Sequence, residues 1–155
     1  MRKTNVVRLI EAANFRYNLR EYKFSPDEID AVSVANMIGA EPERVFKTLV
    51  ARGDKSGIFV FVIPGNYSLN LKKAANSSGN KKIEMVKEKE LLPLTGYIKG
   101  GCSPIGMKKL YPVLIDETAG LWDTIFVSAG IRGIQVEISP YDLKTMISAE
   151  WRDLI

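Results

Sequence analysis

The stretch VFKTLVARGDKSGIFVFVIPG, at residues 45–65, constrains the fold of this chain more than any other. Two runs rich in β-branched and aromatic residues flank the turn signal Gly-Asp-Lys-Ser-Gly, and this pattern predicts an antiparallel hairpin. The second run is apolar at nearly every position, which is typical of a strand that is covered on both faces. We therefore expect both strands to face the core.

Signals for helices and further strands lie on both sides of the hairpin. A serine N-cap followed by proline at the first helical position predicts helices starting at Ser25 and Ser139, the first ending at Gly39. Pro93 should stop the helix that contains it, and the chain should close on the helix after Ser139. Apolar spacing predicts further helices over 6–13 and 71–79, and strands over 15–20, 83–85, 111–117, 123–130 and 133–139.

These elements predict an α+β fold and not a regular βαβ alternation. The chain has 155 residues, the size of one ordinary domain, and shows no repeat, linker or low-complexity tract, so we expect a single domain over 1–155. No apolar run approaches the roughly 20 residues of a membrane helix, and the N-terminus lacks the apolar block of a signal peptide. With a single cysteine as well, these features favour a cytoplasmic protein.

The composition excludes several classes of catalyst. The chain contains no histidine, which removes Ser-His-Asp and Cys-His mechanisms and histidine-containing zinc sites. Catalysis must rely on lysine, carboxylates, hydroxyls, backbone amides or the substrate itself, and we expect neither a cofactor nor a metal. Lysine and arginine number 22 against 18 aspartates and glutamates, and this net charge of +4 favours a polyanionic partner without requiring one.

The segment YIKGGCSPIG, at residues 97–106, concentrates three glycines, one proline and the only cysteine. Glycine permits positive φ and close approach of the backbone, so several N–H groups could line an anion or carbonyl site. The segment is neither a Walker loop nor a nucleophile elbow, and a tight crossover between a helix and a strand explains its spacing equally well. Without a histidine partner, Cys102 is expected to be a small buried residue and not a nucleophile.

Lysine side chains supply the remaining candidates. Lys47 lies among apolar neighbours in the hairpin, where a buried ammonium is costly and usually binds an oxygen or a carboxylate; a lysine on an edge strand that points to water is the alternative. A basic group around the glycine segment could hold the phosphates of a polynucleotide, or could simply be a solvated surface. Its members are Lys72, Lys73, Lys81, Lys82, Lys108, Lys109 and Arg132.

Three segments, in their order and separations, resemble the YbaK/EbsC family, free-standing relatives of the editing domain inserted in bacterial prolyl-tRNA synthetase. They are RVFKTLV at 44–50, TGYIKGGCSPIGMKK at 95–109 and TIFVSAGIRGIQVEISPYDL at 124–143. The segment LNLKKAANSSGNKKIEM, at 69–85, extends the similarity to nearly the whole chain. The resemblance implies a mixed, mostly antiparallel sheet curved around a pocket, with helices outside.

The resemblance also implies a reaction, the hydrolysis of mischarged aminoacyl-tRNA in trans, typically Cys-tRNA(Pro). No covalent protein nucleophile is implied, because the thiol of the substrate or a water positioned by the ribose attacks the ester. The bare backbone of the glycine segment would let N–H groups approach the ester carbonyl as an oxyanion forms. By motif position, Lys47 is the essential lysine, Gly100 the first glycine of the catalytic loop, and Tyr22, Thr48 and Ser128 are pocket residues.

Neighbouring residues complete the predicted site. We add Gly101 to the catalytic pair and Ser103 to the substrate-binding residues, because both lie in the same glycine segment. The acceptor end of the tRNA would be held by basic residues, and prolyl-tRNA synthetase is a possible partner. The predicted tRNA-binding residues are Lys72, Lys73, Lys108, Lys109 and Arg132.

Five positions depart from the family pattern, and they leave the substrate open. Asp30 replaces a typical phenylalanine, Met107 a glutamine and Gln135 an aspartate, while Ala129 and Ile131 alter the segment after Ser128. Another small amino acid, as in Ala-tRNA(Pro), is therefore an alternative substrate, since one or two substitutions can redirect a pocket. A non-catalytic module that binds charged tRNA or docks on a synthetase is the alternative function, and a nucleotide-binding enzyme has little support.

Overall fold

The computed structural model describes residues 3–155, which contain five α-helices and eight strands. In this part of the chain, none of the helices combines the length and apolar character that a bilayer span needs. The helices are α1 (Asn5–Ala12), α2 (Ala31–Ile38), α3 (Leu71–Ser77), α4 (Glu88–Thr95) and α5 (Pro140–Met146). The strands are β1 (Tyr17–Glu21), β2 (Phe46–Gly53), β3 (Gly57–Pro64), β4 (Ile83–Met85), β5 (Val113–Asp116), β6 (Ile125–Ser128), β7 (Ile134–Ile138) and β8 (Glu150–Arg152).

The strands form two sheets. A three-stranded antiparallel sheet has the order β1-β7-β6, and a five-stranded mixed sheet has the order β4-β2-β3-β5-β8. β2 and β3 form the predicted hairpin, with Lys47 opposite Ile63, and β5 and β8 add to it in parallel. A parallel bridge between Val45 and Phe126 joins the two sheets. The predicted α+β fold with mostly antiparallel pairing is confirmed.

Apolar clusters cover both faces of the five-stranded sheet. Val60 and Val62 of β3 belong to the main cluster, which also contains residues of the three-stranded sheet, α1 and α5. Phe61 and Ile63, the alternate residues of the same strand, pack in a second cluster with Ala74 of α3. All five side chains are fully buried. Burial on two faces is the reason why β3 is apolar at nearly every position.

Helix α2 begins at Ala31, so the predicted start after Ser25 is wrong. Asp30 is the N-cap, because its carboxylate accepts hydrogen bonds from the N–H and the hydroxyl of Ser33 at 3.2 and 2.7 Å. Ser25 begins a tight turn instead. The late start leaves Ile29 and Asp30 outside the regular helix, where both line the cavity described below.

Two further predictions of element boundaries are wrong. Pro93 lies inside α4 and does not stop it; the helix ends at Gly96, whose φ is 84° and whose N–H bonds the carbonyl of Leu92. In a helix of two turns, proline removes only one hydrogen bond. The chain does not close on α5, because β8 follows and pairs with β5, with Trp151 opposite Ile115. β8 has the sequence Glu-Trp-Arg, in which one apolar residue shows no pattern by which a strand could be recognised.

A largely buried cluster holds the start of β2 against the three-stranded sheet. Arg44 donates to the carboxylate of Glu137 and to the carbonyl of Thr124, both at 2.7 Å. The hydroxyl of Thr124 donates to the same carboxylate at 2.7 Å. The guanidinium groups of Arg20 and Arg44 lie 5.3 and 4.9 Å from the ring centre of Phe126. These contacts position the strands that line the cavity.

Candidate active site

A cavity of about 450 Å³ opens between the two sheets, within the range of small-molecule sites. Its walls come from the start of α2, from β2, from the segment that leads into α4, from the glycine segment, and from β6 and β7. The lining residues are 29–31, 34, 45–50, 65, 85–88, 91, 99, 100, 102, 128 and 135. The structure therefore contains the predicted pocket, lined by strands of both sheets.

The floor of the cavity is mostly apolar and its rim is charged. Val34, Phe46 and Val50 are buried lining residues. No three His, Cys, Asp or Glu side chains are grouped to hold a metal ion among residues 3–155. The ionisable side chains at the cavity, other than Cys102, are Asp30, Lys47, Lys87, Glu88 and Lys99. The rim thus offers cations for an anionic ligand and carboxylates for a cationic one.

Lys47 occupies the wall formed by β2. Its side chain is half-buried, and its ammonium donates a hydrogen bond to the carbonyl oxygen of Gly65 at 3.2 Å. Burial lowers the pKa of Lys47 below 10.5, and the nearby carboxylate of Asp30 opposes this effect. The hydrogen bond from Ser33 lowers the pKa of Asp30, so that carboxylate is charged at neutral pH. Lys47 is therefore a partly desolvated cation at the cavity.

The glycine segment brings bare backbone to the same cavity. Gly100 has a φ of 86°, and a Cβ at this position would lie 2.9 Å from Cβ of Ile29 and 3.1 Å from Nε of Arg132. The N–H of Gly101 donates to the carbonyl of Ile98 at 3.0 Å, whereas the N–H of Gly100 donates to no group within residues 3–155. Of the two predicted catalytic glycines, only Gly100 lines the cavity and keeps an unused N–H.

Hydrogen bonds within the segment hold this irregular backbone in place. The hydroxyl of Tyr97 donates to the carbonyl of Ile105 at 2.5 Å, and the N–H of Ile105 donates to Oγ of Ser103 at 3.2 Å. Arg132 donates from Nε to the carbonyl of Lys99 at 2.8 Å. Ser103 is fully buried and does not line the cavity. Its hydroxyl supports the loop that carries Gly100.

Cys102 lines the cavity but is a poor nucleophile. Its side chain is partly buried, and burial raises the pKa of the thiol to about 12. The reactive thiolate is therefore scarce at neutral pH. This environment agrees with the prediction that Cys102 does not act as a nucleophile.

The structure brings four of the predicted site residues together and leaves three outside. Lys47, Thr48, Gly100 and Ser128 line one cavity. The three outside it are Tyr22, Gly101 and Ser103. Tyr22 packs against a third apolar cluster, which includes the buried residues of α2, and the other two support the loop.

The predicted tRNA-binding residues are spread over the surface. Lys72 and Lys73 lie on α3, and the ammonium of Lys73 is 2.9 Å from the carboxylate of Asp153. Lys108 and Lys109 are exposed in the chain that follows the glycine segment. Arg132 is the member of this group that contacts the loop beside Gly100. Their role in binding tRNA remains a prediction.

The cavity also has lining residues to which the sequence analysis assigns no role. Asp30 and Gln135 were recognised only as departures from the family pattern. Gly65, Val86 and Leu91 carry no recognisable signal. Gly65 follows β3, Val86 lies between β4 and α4, and Leu91 lies on α4, so only tertiary packing brings them to the cavity. Oγ1 of Thr48 and Oε1 of Gln135 are buried and have no hydrogen-bond partner among residues 3–155.

Comparison with known proteins identifies a family that the chain matches and several proteins that it resembles. Residues 26–146 match the family described as the aminoacyl-tRNA editing domain. The "Putative Cys-tRNA(Pro)/Cys-tRNA(Cys) deacylase EbsC" of Enterococcus faecalis is 47% identical over 152 residues, which cover 98% of this chain and 93% of the relative. A proline–tRNA ligase of Shouchella clausii is 29% identical over 100 residues, 64% of this chain and 17% of the ligase. The solved structure of a "putative trans-editing enzyme for prolyl tRNA synthetase" has a TM-score of 0.83 at 25% identity, with 97% of both chains covered.

Proposed function

The chain belongs to the aminoacyl-tRNA editing domain family, and we propose that it hydrolyses mischarged tRNA, with Cys-tRNA(Pro) as the preferred substrate. The observation that carries this proposal is that Lys47 and Gly100 line the same cavity. The name of the relative that is 47% identical supports the choice of substrate. We take residues 1–155 as one editing domain that acts in the cytoplasm, where tRNA is charged.

In the proposed reaction, a nucleophile adds to the carbonyl carbon of the aminoacyl ester. The carbonyl oxygen becomes an oxyanion, which the ammonium of Lys47 and the N–H of Gly100 stabilise. The oxyanion then reforms the carbonyl, the bond to the ribose oxygen breaks, and that oxygen takes up the proton that the nucleophile loses. Where the nucleophile is the thiol of the substrate, the product is a cyclic thioester, which water then hydrolyses. The nucleophile is water or the thiol of the substrate, because the raised pKa of Cys102 makes this side chain unsuited to the role.

The acceptor end of the tRNA is the proposed ligand outside the cavity. Lys87 and Lys99 at the rim, with Arg132 beside Gly100, are close enough to the cavity to meet the terminal phosphates. We keep Lys72, Lys73, Lys108 and Lys109 as proposed contacts with more distant phosphates. Such contacts position a nucleic acid without selecting its sequence, so prolyl-tRNA synthetase is proposed as the partner that selects the tRNA.

A deacylation panel tests the proposed function. Purified protein is incubated with tRNA(Pro) charged with cysteine, alanine, serine or proline, and ester loss is followed against a reaction without enzyme. We expect rapid loss of the cysteinyl ester and survival of the prolyl ester. Faster loss of the alanyl ester would reassign the substrate. If every ester survives as in the control while tRNA binds, the protein is a non-catalytic binding module.

The environment of Lys47 predicts a limit to activity at alkaline pH. The charged lysine stabilises the oxyanion, so the catalysed rate should fall as pH rises through its pKa, which burial holds below 10.5. Asp30→Asn removes the carboxylate that opposes this shift and should move the falling limb to lower pH. The measurement is the rate–pH profile of both proteins, corrected for uncatalysed hydrolysis. If the rate falls over the same pH range in both proteins, the carboxylate of Asp30 does not raise the pKa of Lys47.

A further inference from the structure

Two buried oxygen atoms at the cavity remain without hydrogen-bond donors among the described residues: Oγ1 of Thr48 and Oε1 of Gln135. Both residues line the cavity, and Gln135 is only 5% exposed. They come from different sheets, since Thr48 lies on β2 and Gln135 on β7. A buried acceptor without a donor destabilises a protein, so two of them in one binding site point to a ligand that supplies a donor.

No hydroxyl or N–H group of residues 3–155, including the neighbouring Ser128, donates a hydrogen bond to either oxygen. Ser128 lies directly opposite Gln135 in the β6–β7 pair and also lines the cavity. Its oxygen accepts a hydrogen bond from the N–H of Gly130 at 3.1 Å. The other residues of this floor, Phe46 and Val50, are apolar and buried. The oxygens of Thr48 and Gln135 are thus buried acceptors without donors, and the apolar side chains of Phe46 and Val50 line the same cavity.

The chemistry of the two acceptors favours a neutral donor. An amide and a hydroxyl carry no net charge, and burying an ammonium beside them would be costly. The carboxylate of Asp30 at the exposed rim is a better partner for the amino group that every aminoacyl ester carries. The floor therefore suits the side chain of the amino acid.

Resting on the proposed function, we infer that Gln135, together with Thr48, selects aminoacyl esters whose small side chain carries a neutral hydrogen-bond donor. The donors of this kind are the thiol of cysteine and the hydroxyl of serine. Alanine and 2-aminobutyrate lack a donor and leave both acceptors unpaired. 2-Aminobutyrate has nearly the size of cysteine, so the selection is by hydrogen bonding and not by volume.

Binding of stable substrate analogues tests this inference separately from catalysis. The probes are conjugates in which an amide joins cysteine, 2-aminobutyrate, serine or alanine to 3′-amino-3′-deoxyadenosine, so that no ester can be hydrolysed. We expect the cysteine conjugate to bind about five- to tenfold more tightly than the 2-aminobutyrate conjugate, and serine more tightly than alanine. Isothermal titration calorimetry gives the four dissociation constants. Equal constants within each pair would overturn the inference.

Two substitutions identify the residues responsible. Gln135→Leu and Thr48→Val remove the acceptors with little change in volume. Each should reduce the preference for the cysteine conjugate over the 2-aminobutyrate conjugate, and for the serine conjugate over the alanine conjugate. Gln135→Glu retains an acceptor and should retain a larger preference than Gln135→Leu. Thermal unfolding of each variant verifies that it is folded. A Gln135→Leu protein that is folded and keeps the full preference would overturn the role of Gln135, as would an equal loss of affinity for all four conjugates.

The two proposals fail in different ways. If esters are hydrolysed but paired conjugates bind equally, the selection by Gln135 is wrong and the proposed function stands. If the preference is present but no ester is hydrolysed, the proposed reaction is wrong and the recognition stands. If no conjugate binds and no ester is hydrolysed, both are wrong.

Discussion

Replacing Lys47 with alanine should lower kcat/KM for Cys-tRNA(Pro) by about 10²- to 10³-fold, the effect typical of losing one oxyanion-stabilising group. The ammonium is half-buried and its hydrogen bond to Gly65 fixes its position at the cavity. A fixed charge in a poorly solvated site stabilises an oxyanion far better than a mobile charge in water does. The measurement is the steady-state deacylation rate at several tRNA concentrations.

Two controls make the effect of Lys47→Ala specific. Lys55→Ala removes an exposed lysine in the turn between β2 and β3 and should leave kcat/KM unchanged within about twofold, as surface changes usually do. Lys47→Arg keeps the charge but not the compact ammonium, and should recover only part of the activity. Full activity in a folded Lys47→Ala protein would show that the ammonium does not take part in the reaction.

Replacing Gly100 with alanine should produce the second large loss. The φ of 86° costs about 1–2 kcal/mol for a residue with a Cβ, and the new methyl group would lie 2.9 Å from Cβ of Ile29. The loop must move to relieve this contact, and its N–H moves with it. A misplacement of about 1 Å can cost 10²-fold in rate, so we expect kcat/KM to fall by about that factor.

Gly79→Ala is the matched control for the glycine loop. Gly79 also has a positive φ, 73°, but a Cβ there would meet nothing within 4 Å. Both variants should lose similar free energy of unfolding from the backbone strain, measured by urea denaturation, while only Gly100→Ala loses activity. Activity retained in Gly100→Ala would argue against oxyanion stabilisation by this loop.

Local sequence signals were sufficient for the elements that form through short-range contacts. The hairpin of β2 and β3 follows from its turn and its apolar runs. Helix α5 is capped by Ser139, as its sequence predicts. Ser25 carries the same signal but caps no helix, because Asp30 makes two bonds to Ser33 and starts α2 later. A capping motif predicts a possible start, and competition with a neighbouring cap decides the real one.

The candidate site depended on long-range packing that the sequence could indicate only in part. Lys47 and Gly100 could be singled out by residue type and family resemblance, and both line the cavity. The difference between Gly100 and Gly101 could not be predicted, because it rests on a turn in which the N–H of Gly101 is already used. Oε1 of Gln135 has no hydrogen-bond partner among the described residues. This likewise depends on how the strands pack around the cavity, which no local pattern encodes.

A crystal structure with the cysteine conjugate of 3′-amino-3′-deoxyadenosine tests most directly whether one cavity receives the aminoacyl end of tRNA. We predict that the conjugate lies between β2 and the glycine loop. Its carbonyl oxygen should be within about 3 Å of the ammonium of Lys47 or the N–H of Gly100, the distance of a hydrogen bond. A conjugate bound elsewhere on the protein, with neither group in contact with it, would contradict the account.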